Sequence, residues 1–157
     1  MDLRILSDDD IIKLIKCPKQ TRNLSKCTPD FRHKKKNYNL TSEKFPNYQF
    51  MLYYRQSNDE KDDYSVGLLV TFPCGKQLTL IRFNGSSHCH PNRIEKEEIE
   101  WETHIHIATQ RYIQTGHPNG YAIKTDKYQC ADEALEYACE YCNIQGIIED
   151  SHYPKLI

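Results

Sequence analysis

Three segments in the middle of the chain have the composition of β-strands and are separated by short polar turns. They are YQFMLYYRQ (48–56), YSVGLLVTF (64–72) and QLTLIRFNG (77–85). SNDEKDD (57–63) separates the first two, and PCGK (73–76) separates the second from the third. Aromatic and β-branched residues favour strands, and connections this short join neighbouring antiparallel strands. The pattern therefore predicts a three-stranded antiparallel meander, around which the rest of the chain must be arranged.

The flanking segments predict a helix towards each end and one further strand. SDDDIIKLIK (7–16) begins with capping residues and has an apolar side, and ADEALEYACEYCNI (131–144) is rich in good helix formers. THIHIA (103–108) alternates polar and apolar residues, as a strand does. Residues 19–47 are polar and basic, and we expect an irregular arm there. The prediction is one α+β domain over residues 1–157, with a mainly antiparallel four- or five-stranded sheet and N-terminal and C-terminal helices.

Charge is unevenly distributed, although the 157-residue chain is almost neutral overall. Its formal net charge is −1, which excludes a globally basic nucleic-acid-binding protein. Residues 13–36 nevertheless contain nine lysines and arginines and only one acid. Because a local basic cluster attracts phosphate groups, we expect this arm to contact RNA, helped by aromatic side chains of which strand alternation must bury some. The predicted RNA contacts are Arg32, Lys34, Lys35 and Lys36 through charge, and Phe50, Tyr53 and Tyr54 through stacking.

The cysteine content favours a reducing compartment. There are seven cysteines, an odd number, and Met1–Leu6 is too short an apolar segment for a signal peptide. No run approaches the ~20 apolar residues of a membrane-spanning helix. We therefore expect a cytoplasmic protein with reduced thiols. Cys139 and Cys142 have C-x-x-C spacing, but no second such pair accompanies them, and on one helix they are expected to pack rather than to bind metal.

Histidines are concentrated in one part of the chain. Five of the seven lie between residues 88 and 117, and four of these form two H-x-H pairs. Since residues i and i+2 of a strand share one face, His104 and His106 should point to the open side, with Ile105 and Ile107 buried on the other. A short connection after the third strand can bring the other pair close to them. The paired residues are His88, His90, His104 and His106.

Three roles are open for these histidines. They can be polar residues on a solvated sheet face. They can hold zinc, which needs three ligands and an open position for catalysis. They can also exchange protons across an RNA phosphodiester, where the 2′-hydroxyl is the nucleophile and no metal is required. In that reaction nearby cationic or phenolic groups stabilise the phosphate, and the candidates are Arg82, Arg111, Tyr112 and Lys124.

A set of short motifs begins at the end of the third predicted strand and continues to the last helix. They are R-x-N-G at Arg82–Gly85, a histidine and an asparagine at His88 and Asn92, H-I-H at His104–His106, the pair Tyr121–Ala122, and C-N-I at Cys142–Ile144. In this combination the chain resembles a family of small bacterial and phage or mobile-element proteins that is classed as a domain of unknown function. The resemblance covers roughly residues 30–144. It implies a shared fold and a shared site, and it implies no established activity.

Our leading hypothesis is a metal-independent endoribonuclease of a phage or other mobile element. His104 and His106 would be the acid and base, and His88 would complete the site. Arg82 would contact phosphate, and Tyr112 is a further candidate for the catalytic group. No cofactor is expected in this hypothesis, and zinc held by the histidine cluster is the alternative.

A protein without catalytic activity is the alternative from a different functional class. Small size, free thiols and acidic patches are compatible with an inhibitor of a host defence nuclease, such as an anti-CRISPR protein. The acidic residues 94–102 would then imitate nucleic acid. A toxin or antitoxin of a two-gene module is a third possibility. The expected partners are accordingly RNA, an RNA–protein complex or a host nuclease, and no membrane.

Overall fold

The three predicted strands form the centre of a larger sheet. The computed structural model describes residues 1–21 and 33–147, and within them ten strands and three α-helices. The helices are α1 (Asp8–Lys16), α2 (Gln110–Gln114) and α3 (Ala131–Tyr141). The strands are β1 (Lys19–Thr21), β2 (His33–Thr41), β3 (Gln49–Ser57), β4 (Tyr64–Thr71), β5 (Gln77–Asn84), β6 (His90–Asn92), β7 (Glu97–Ile99), β8 (His104–Ile107), β9 (Ala122–Lys124) and β10 (Ile144–Gln145).

The fold is α+β, as predicted, but the sheet is larger than four or five strands. Eight strands follow the order β10-β1-β2-β3-β4-β5-β8-β9, and β6 and β7 form a separate hairpin. The sheet is mixed, because β1 pairs with β10 in parallel while the other neighbours are antiparallel. The prediction of an irregular arm at 19–47 was wrong for those of its residues that the structure describes. Its described residues include β1 and the nine-residue β2, since β3 offers β2 a complete row of backbone partners.

The helices cover one face of the sheet. A capping box starts α1, in which the Ser7 and Asp10 side chains accept hydrogen bonds from each other's backbone N–H groups. Lys16 of α1 lies over the ring of Tyr141 in α3, with 3.3 Å between Nζ and the ring centroid. Both helices pack on the sheet, and Phe83 of β5 contacts Tyr141 and Tyr137 of α3 edge to face. The hydrophobic core therefore lies between this face and the two helices.

Residues alternate between the two faces of the central strands, apart from a β-bulge at Leu80 in β5. Those facing the helices, such as Leu52, Val66 and Phe83, are fully buried. On the opposite face Tyr53 and Arg82 are half-buried, while residues near β8, such as Asn84, are buried. Period-2 alternation in an antiparallel sheet with one covered face has this outcome. The second face is consequently available to a hairpin and to ligands.

A single buried lysine joins the ends of α1 and α3. The side chain of Lys19 in β1 has no exposed surface, and its Nζ donates hydrogen bonds to the carbonyl oxygens of Ile15 (2.7 Å), Cys17 (2.9 Å) and Cys142 (3.0 Å). Ile15 and Cys17 are at the C-terminal end of α1, and Cys142 is at that of α3. Helix ends leave such carbonyls without intrahelical partners. The ammonium group therefore satisfies acceptors of both helices at once.

The six cysteines of the described residues are free thiols. Cys74 and Cys130 are exposed, Cys89 is half-buried and Cys17 is buried, while Cys139 and Cys142 are buried on the inner side of α3. Burial raises the pKa of each of these two thiols to about 12, which makes them poor nucleophiles and poor metal ligands at neutral pH. In the part of the chain that the structure describes, each helix is too short or too polar to cross a bilayer.

We predict that Lys19→Met destabilises the protein much more than Lys13→Met. Lys13 is exposed on α1, whereas methionine at position 19 would leave three buried carbonyls without a donor. The expected loss in the free energy of unfolding is about 2 kcal/mol or more for Lys19→Met, and at most about 0.5 kcal/mol for Lys13→Met. Urea unfolding followed by circular dichroism measures both. Equal stability of the two variants would contradict the joining role of Lys19.

Candidate functional site: a buried histidine cluster

His104 and His106 lie on one face of β8, as period-2 alternation predicts. Arg82 of β5 is directly opposite His106, and Asn84 is directly opposite His104. Ile105 on the other face is buried, which confirms the assignment of faces, while Ile107 is only half-buried. The expectation that the histidines point to an open side was wrong. Their exposed fractions are 0% for His104 and 4% for His106.

The hairpin of β6 and β7 buries the two histidines. Asn92, at the end of β6, attaches this hairpin to the outer edge of β9. Its side-chain Nδ2 donates to the carbonyl of Ala122 (2.7 Å), and its Oδ1 accepts from the backbone N–H of the same residue (2.9 Å). The amide thereby pairs with a strand edge as another strand would. His90 adds a hydrogen bond from its Nε2 to the carbonyl of Gly120 (2.8 Å).

Four imidazole rings meet where the hairpin lies over β8, and one of them, His90, belongs to the hairpin itself. The ring centroids of His104 and His106 are 5.0 Å apart, and His90 lies 4.5 Å from His106. His88 lies 5.3 Å from His104 and is the most exposed of the four. The structure therefore brings together the two H-x-H pairs, as the sequence suggested.

The hydrogen bonds of His104 and His106 define which nitrogen of each ring carries the proton. Nδ1 of His104 lies 2.8 Å from the carbonyl oxygen of Glu102, and Nδ1 of His106 lies 3.0 Å from that of Asn119. A carbonyl only accepts, so both Nδ1 atoms must carry the hydrogen. Each Nε2 then carries a lone pair, and both Nε2 atoms are buried without a hydrogen-bond partner among residues 1–21 and 33–147. One nitrogen from each of His88, His104 and His106 lies within 4.8 Å of the other two.

Burial keeps these imidazoles neutral. It lowers the pKa of His104, and together with the charge of Arg82 it lowers the pKa of His106 to about 3. The pKa of His88 is also lowered, first by partial burial and then by Arg82. Our expectation of two imidazoles titrating near neutrality therefore fails for His106. The cluster presents lone pairs instead of acidic protons at pH 7.

Arg82 supplies the positive charge of the site. It is half-buried and has no ion-pair partner among residues 1–21 and 33–147, and its Nε is buried without a hydrogen-bond acceptor. Tyr53 lies beside it, since the tyrosine ring covers Gly67, the residue opposite Arg82 on β4. A side chain at position 67 would collide with this ring, because a Cβ built there is 2.2 Å from Cζ of Tyr53. The Arg82 guanidinium is hydrogen-bonded to the Tyr53 side chain and has no carboxylate partner among the described residues, so beside neutral imidazoles it favours an anionic ligand.

The other candidates for phosphate stabilisation have structural roles instead. Tyr112 is buried outside the cluster, where its hydroxyl donates to Glu95 (2.5 Å) and accepts from the backbone N–H of Ile94 (3.1 Å). Arg111 forms an ion pair with the same Glu95. Lys124 pairs with Glu102 at 3.1 Å. Tyr112 therefore holds the loop after β6, and the structure does not bring it into the histidine cluster.

The predicted RNA contacts are divided between the two faces of the sheet. Lys35 lies on the face of the histidine cluster, while Lys34 and Lys36 alternate to the helix side, where Lys36 lies over the ring of Tyr54 at 5.5 Å. Phe50 and Tyr54 are in the core, which leaves only Tyr53 of the three aromatics on the cluster side. Arg32 lies outside the described residues.

Two site residues were not assigned a role from the sequence. His90 was noticed only as part of an H-x-H pair, although its ring is the nearest to His106. Asn92 was noticed only as part of a motif. Its function depends on the unpaired edge of β9, a three-residue strand that sequence patterns do not reveal. The only signal in the sequence was an asparagine shortly after the paired histidines. Its position does not show which residue its side chain contacts.

The comparisons with known proteins identify the family. The model of a family of unknown function, DUF6978, matches residues 6–144, which is most of the chain, and the protein belongs to this family. The match begins before α1, well before the limit of about residue 30 that the motifs suggested. The searches of curated proteins and of solved structures found no match.

We predict that the metal-free protein loses stability as the pH falls below about 6.5. Unfolded histidine takes up a proton near that pH, whereas folded His106 does so only near pH 3. The contribution of neutral His106 to the free energy of unfolding is therefore complete above pH 6.5. It is lost progressively towards pH 3, by on the order of 1 kcal/mol per pH unit. Urea unfolding in chelator at pH 7.5, 6 and 5 measures the slope.

His106→Asn is the matched variant for this experiment. The Asn Nδ2 can replace the hydrogen bond from Nδ1 to Asn119, but the side chain does not titrate. The slope between pH 6.5 and 5 should be smaller in this variant. An identical slope in both proteins would show that other groups cause the acid sensitivity.

We predict that Asn92→Ala exposes the cluster to water. The change removes both hydrogen bonds to Ala122 and frees the hairpin from β9. The pKa of His106 should then rise from about 3 towards its ordinary value, because desolvation is the main cause of its shift. NMR titration of the imidazole Cε1–H resonances measures this, with Pro91→Ala in the same strand as the control. Unchanged titration in Asn92→Ala would show that the hairpin is held by other contacts.

Proposed function

We propose that this protein is a metal-dependent phosphodiesterase of the endoribonuclease class, with its centre at His88, His104 and His106. One observation carries the proposal. Two buried Nε2 atoms, of His104 and His106, have lone pairs but no hydrogen-bond partner in the part of the chain that the structure describes, while each Nδ1 donates to a backbone carbonyl. Histidine ligands of metal ions characteristically donate their second N–H to a carbonyl or a carboxylate in this way. Leaving two buried nitrogens without a partner otherwise costs free energy.

The lowered pKa values favour a metal centre over an acid–base pair. A general acid must be protonated at the working pH, and His106, with a pKa of about 3, is not. A metal ligand must be deprotonated, and the same low pKa removes the competition from protons. We therefore replace the metal-independent mechanism expected from the sequence by one that uses a transition metal ion.

Zn²⁺ is the metal that the donors fit best. Three imidazoles with an open fourth position make a catalytic zinc site, and imidazole nitrogen is a good ligand for zinc. Nitrogen atoms around a tetrahedral zinc are about 3.3 Å apart, compared with up to 4.8 Å in the cluster. Rotation of the exposed His88 side chain towards the two buried rings would close this difference, while His104 and His106 keep their positions.

Arg82 determines the class of substrate. Arg82 is the cross-strand neighbour of His106, its charge acts on that imidazole, and it has no carboxylate partner in the described chain, so it can bind a phosphodiester oxygen at the cluster. A zinc ion at the three histidines would polarise the phosphodiester and make water nucleophilic at neutral pH. In the reaction, a water oxygen bonds to phosphorus, the bond from phosphorus to the leaving ester oxygen breaks, and that oxygen takes a proton. The products are a phosphomonoester and an alcohol.

We assign the transfer of the proton to His90. Its Nε2–H donates to Gly120, which leaves Nδ1 free to accept a proton from water. Its ring lies 4.5 Å from that of His106, so it adjoins the proposed ligands without belonging to the group of three nitrogens. This role differs from that of the three ligands, because replacing His90 should reduce the rate and leave metal binding intact.

We predict that the purified protein binds about one zinc ion per chain and cleaves RNA and bis(4-nitrophenyl) phosphate in a reaction that EDTA stops. His104→Asn and His106→Asn can each keep the hydrogen bond from Nδ1 but lose the Nε2 ligand, and should reduce the rate roughly 100-fold or more. His117→Asn, outside the cluster, is the control. Elemental analysis, and the visible spectrum after Co²⁺ is added to the metal-free protein, measure metal binding directly.

The outcomes separate the alternatives. Full cleavage by a protein shown to be free of metal would refute the metal centre and restore the acid–base mechanism. Absence of both metal binding and cleavage would refute the proposal as a whole. Loss of metal binding in His117→Asn, together with its retention in His104→Asn, would place the metal elsewhere.

A binding protein without catalysis is the second candidate, and one observation favours it. Trp101 is 67% exposed in the turn after β7, surrounded in sequence by the exposed acids Glu98, Glu100 and Glu102. Exposed tryptophan and negative charge together suit an inhibitor of a host nuclease encoded by a phage or mobile element, or one half of a toxin–antitoxin pair. We place either candidate in the cytoplasm. Trp101→Ala should abolish such binding and leave cleavage unchanged.

A further inference from the structure

The sheet face that carries the histidine cluster continues without interruption across β2 to β5. Cross-strand register aligns its residues into rows that run from β2 to β8. The first row is Lys35, Arg55, Ser65, Asn84 and His104, and the second is Asn37, Tyr53, Gly67, Arg82 and His106. Further rows contain Asn39, Met51, Leu69 and Thr79, and then Gln49, Thr71 and Gln77. The cluster is therefore one end of an extended surface.

The charge of this surface suits an anionic ligand. The rows on β2 to β5 contain three cations, Lys35, Arg55 and Arg82, and no acid. Arg55 pairs with Asp63 at 2.8 Å, so one carboxylate lies at the His88 end of this face, where its charge also reaches His88. The net charge of −1 for the chain thus conceals a face on which the described rows contain three cations and adjoin one acid. A polyanion can lie on the part of the face that is away from Asp63 with little like-charge repulsion.

A groove of about 470 Å³ occupies the part of this face farthest from the cluster. Amide and hydroxyl groups line it, with apolar side chains between them. Side-chain amides donate and accept at the same time, as the edges of nucleobases do. The lining includes Asn39, Thr41, Gln49, Met51, Thr71 and Gln77.

The spacing of the rows connects the groove to the cluster. Neighbouring rows are two residues apart along β2, β3 and β4, which is about 7 Å, and three residues apart at the bulge of β5 between Arg82 and Thr79. The groove begins in the row next to Arg82 and Tyr53, and the histidines adjoin Arg82 in its own row. Tyr53 lies between the two regions, with its ring held over Gly67. A chain of nucleotides crossing the face would meet amides, a tyrosine ring, a guanidinium and then the histidines.

We infer that single-stranded RNA binds across this face, with one phosphate between Arg82 and the histidine cluster and the neighbouring bases in the amide-lined groove. Base edges are accessible to such a surface only when the strand is unpaired, and donor–acceptor amides and hydroxyls also suit the 2′-hydroxyl. This inference rests on the proposed function for cleavage, but binding itself requires no metal. It defines the substrate as a single strand and gives its path.

Adjacent lysines provide a matched test. Lys35 and Lys34 are neighbours in β2, both are exposed, and they point to opposite faces of the sheet. Binding of a fluorescent 12-nucleotide RNA is measured by anisotropy in EDTA over a salt series. Lys35→Ala should weaken binding and reduce the slope of log K against log salt by about 0.7, while Lys34→Ala leaves the slope unchanged. Gln49→Glu and Gln77→Glu, which place negative charge in the groove, should each weaken binding about tenfold.

The results distinguish this inference from the proposed function. Binding of the RNA that is weakened by Lys35→Ala and by the groove variants, and stronger than binding of the same DNA or of an RNA duplex, supports the inference. Equal effects of Lys34→Ala and Lys35→Ala, or equal binding of the DNA or the duplex, overturn it. Zinc binding with cleavage of bis(4-nitrophenyl) phosphate, but without RNA binding in EDTA, overturns this inference alone and leaves the metal centre standing.

Discussion

The pair of hydrogen bonds between the Asn92 side chain and the backbone of Ala122 determines where water reaches this sheet. Both helices that cover the core lie on one face, so the opposite face would be wet along its whole length without the hairpin of β6 and β7. One asparagine amide attaches that hairpin to the edge of β9. The hairpin in turn removes water from His104 and His106, which alternation alone would have left accessible. The burial of the two histidines therefore depends on how the outer edge of β9 is hydrogen-bonded.

Burial beside uncharged carbonyls gives His104 and His106 their particular electrostatics, whereas the Asp63 carboxylate acts on the more exposed His88. Histidines that act as acid and base usually have an acidic partner or access to solvent, which holds their pKa near neutrality. Here the Nδ1 partners are uncharged carbonyls, and the nearby charge is that of Arg82, which opposes protonation. Adding a dication to such a site would place it close to the guanidinium. An anion lying between them reduces that repulsion, so metal ion and phosphodiester should reinforce each other's binding.

Local patterns in the sequence predicted the elements that depend on local physics. The strands β3, β4, β5 and β8 and the helices α1 and α3 follow from alternation, capping residues and short turns. The strand β2 was missed because its lysines and asparagines resemble a solvated loop, and its hydrogen bonds come from β3 along its length and from β1 at its end. The predicted exposure of His104 and His106 was wrong for a related reason. It depends on Asn92 meeting Ala122, thirty residues away in sequence, and no periodicity encodes that contact.

The pairing of β1 with β10 has a consequence for synthesis of the chain. Lys19 leaves the ribosome long before Cys142, whose carbonyl is one of its three acceptors, and Ile144, its partner strand residue, follows later still. Until then a lysine destined for the interior must stay hydrated, and the outer edge of β1 has no partner. The nascent protein can form the central meander early, but it cannot complete the sheet until residues 142–145 have emerged. During that interval β1 is an edge exposed to incorrect pairing.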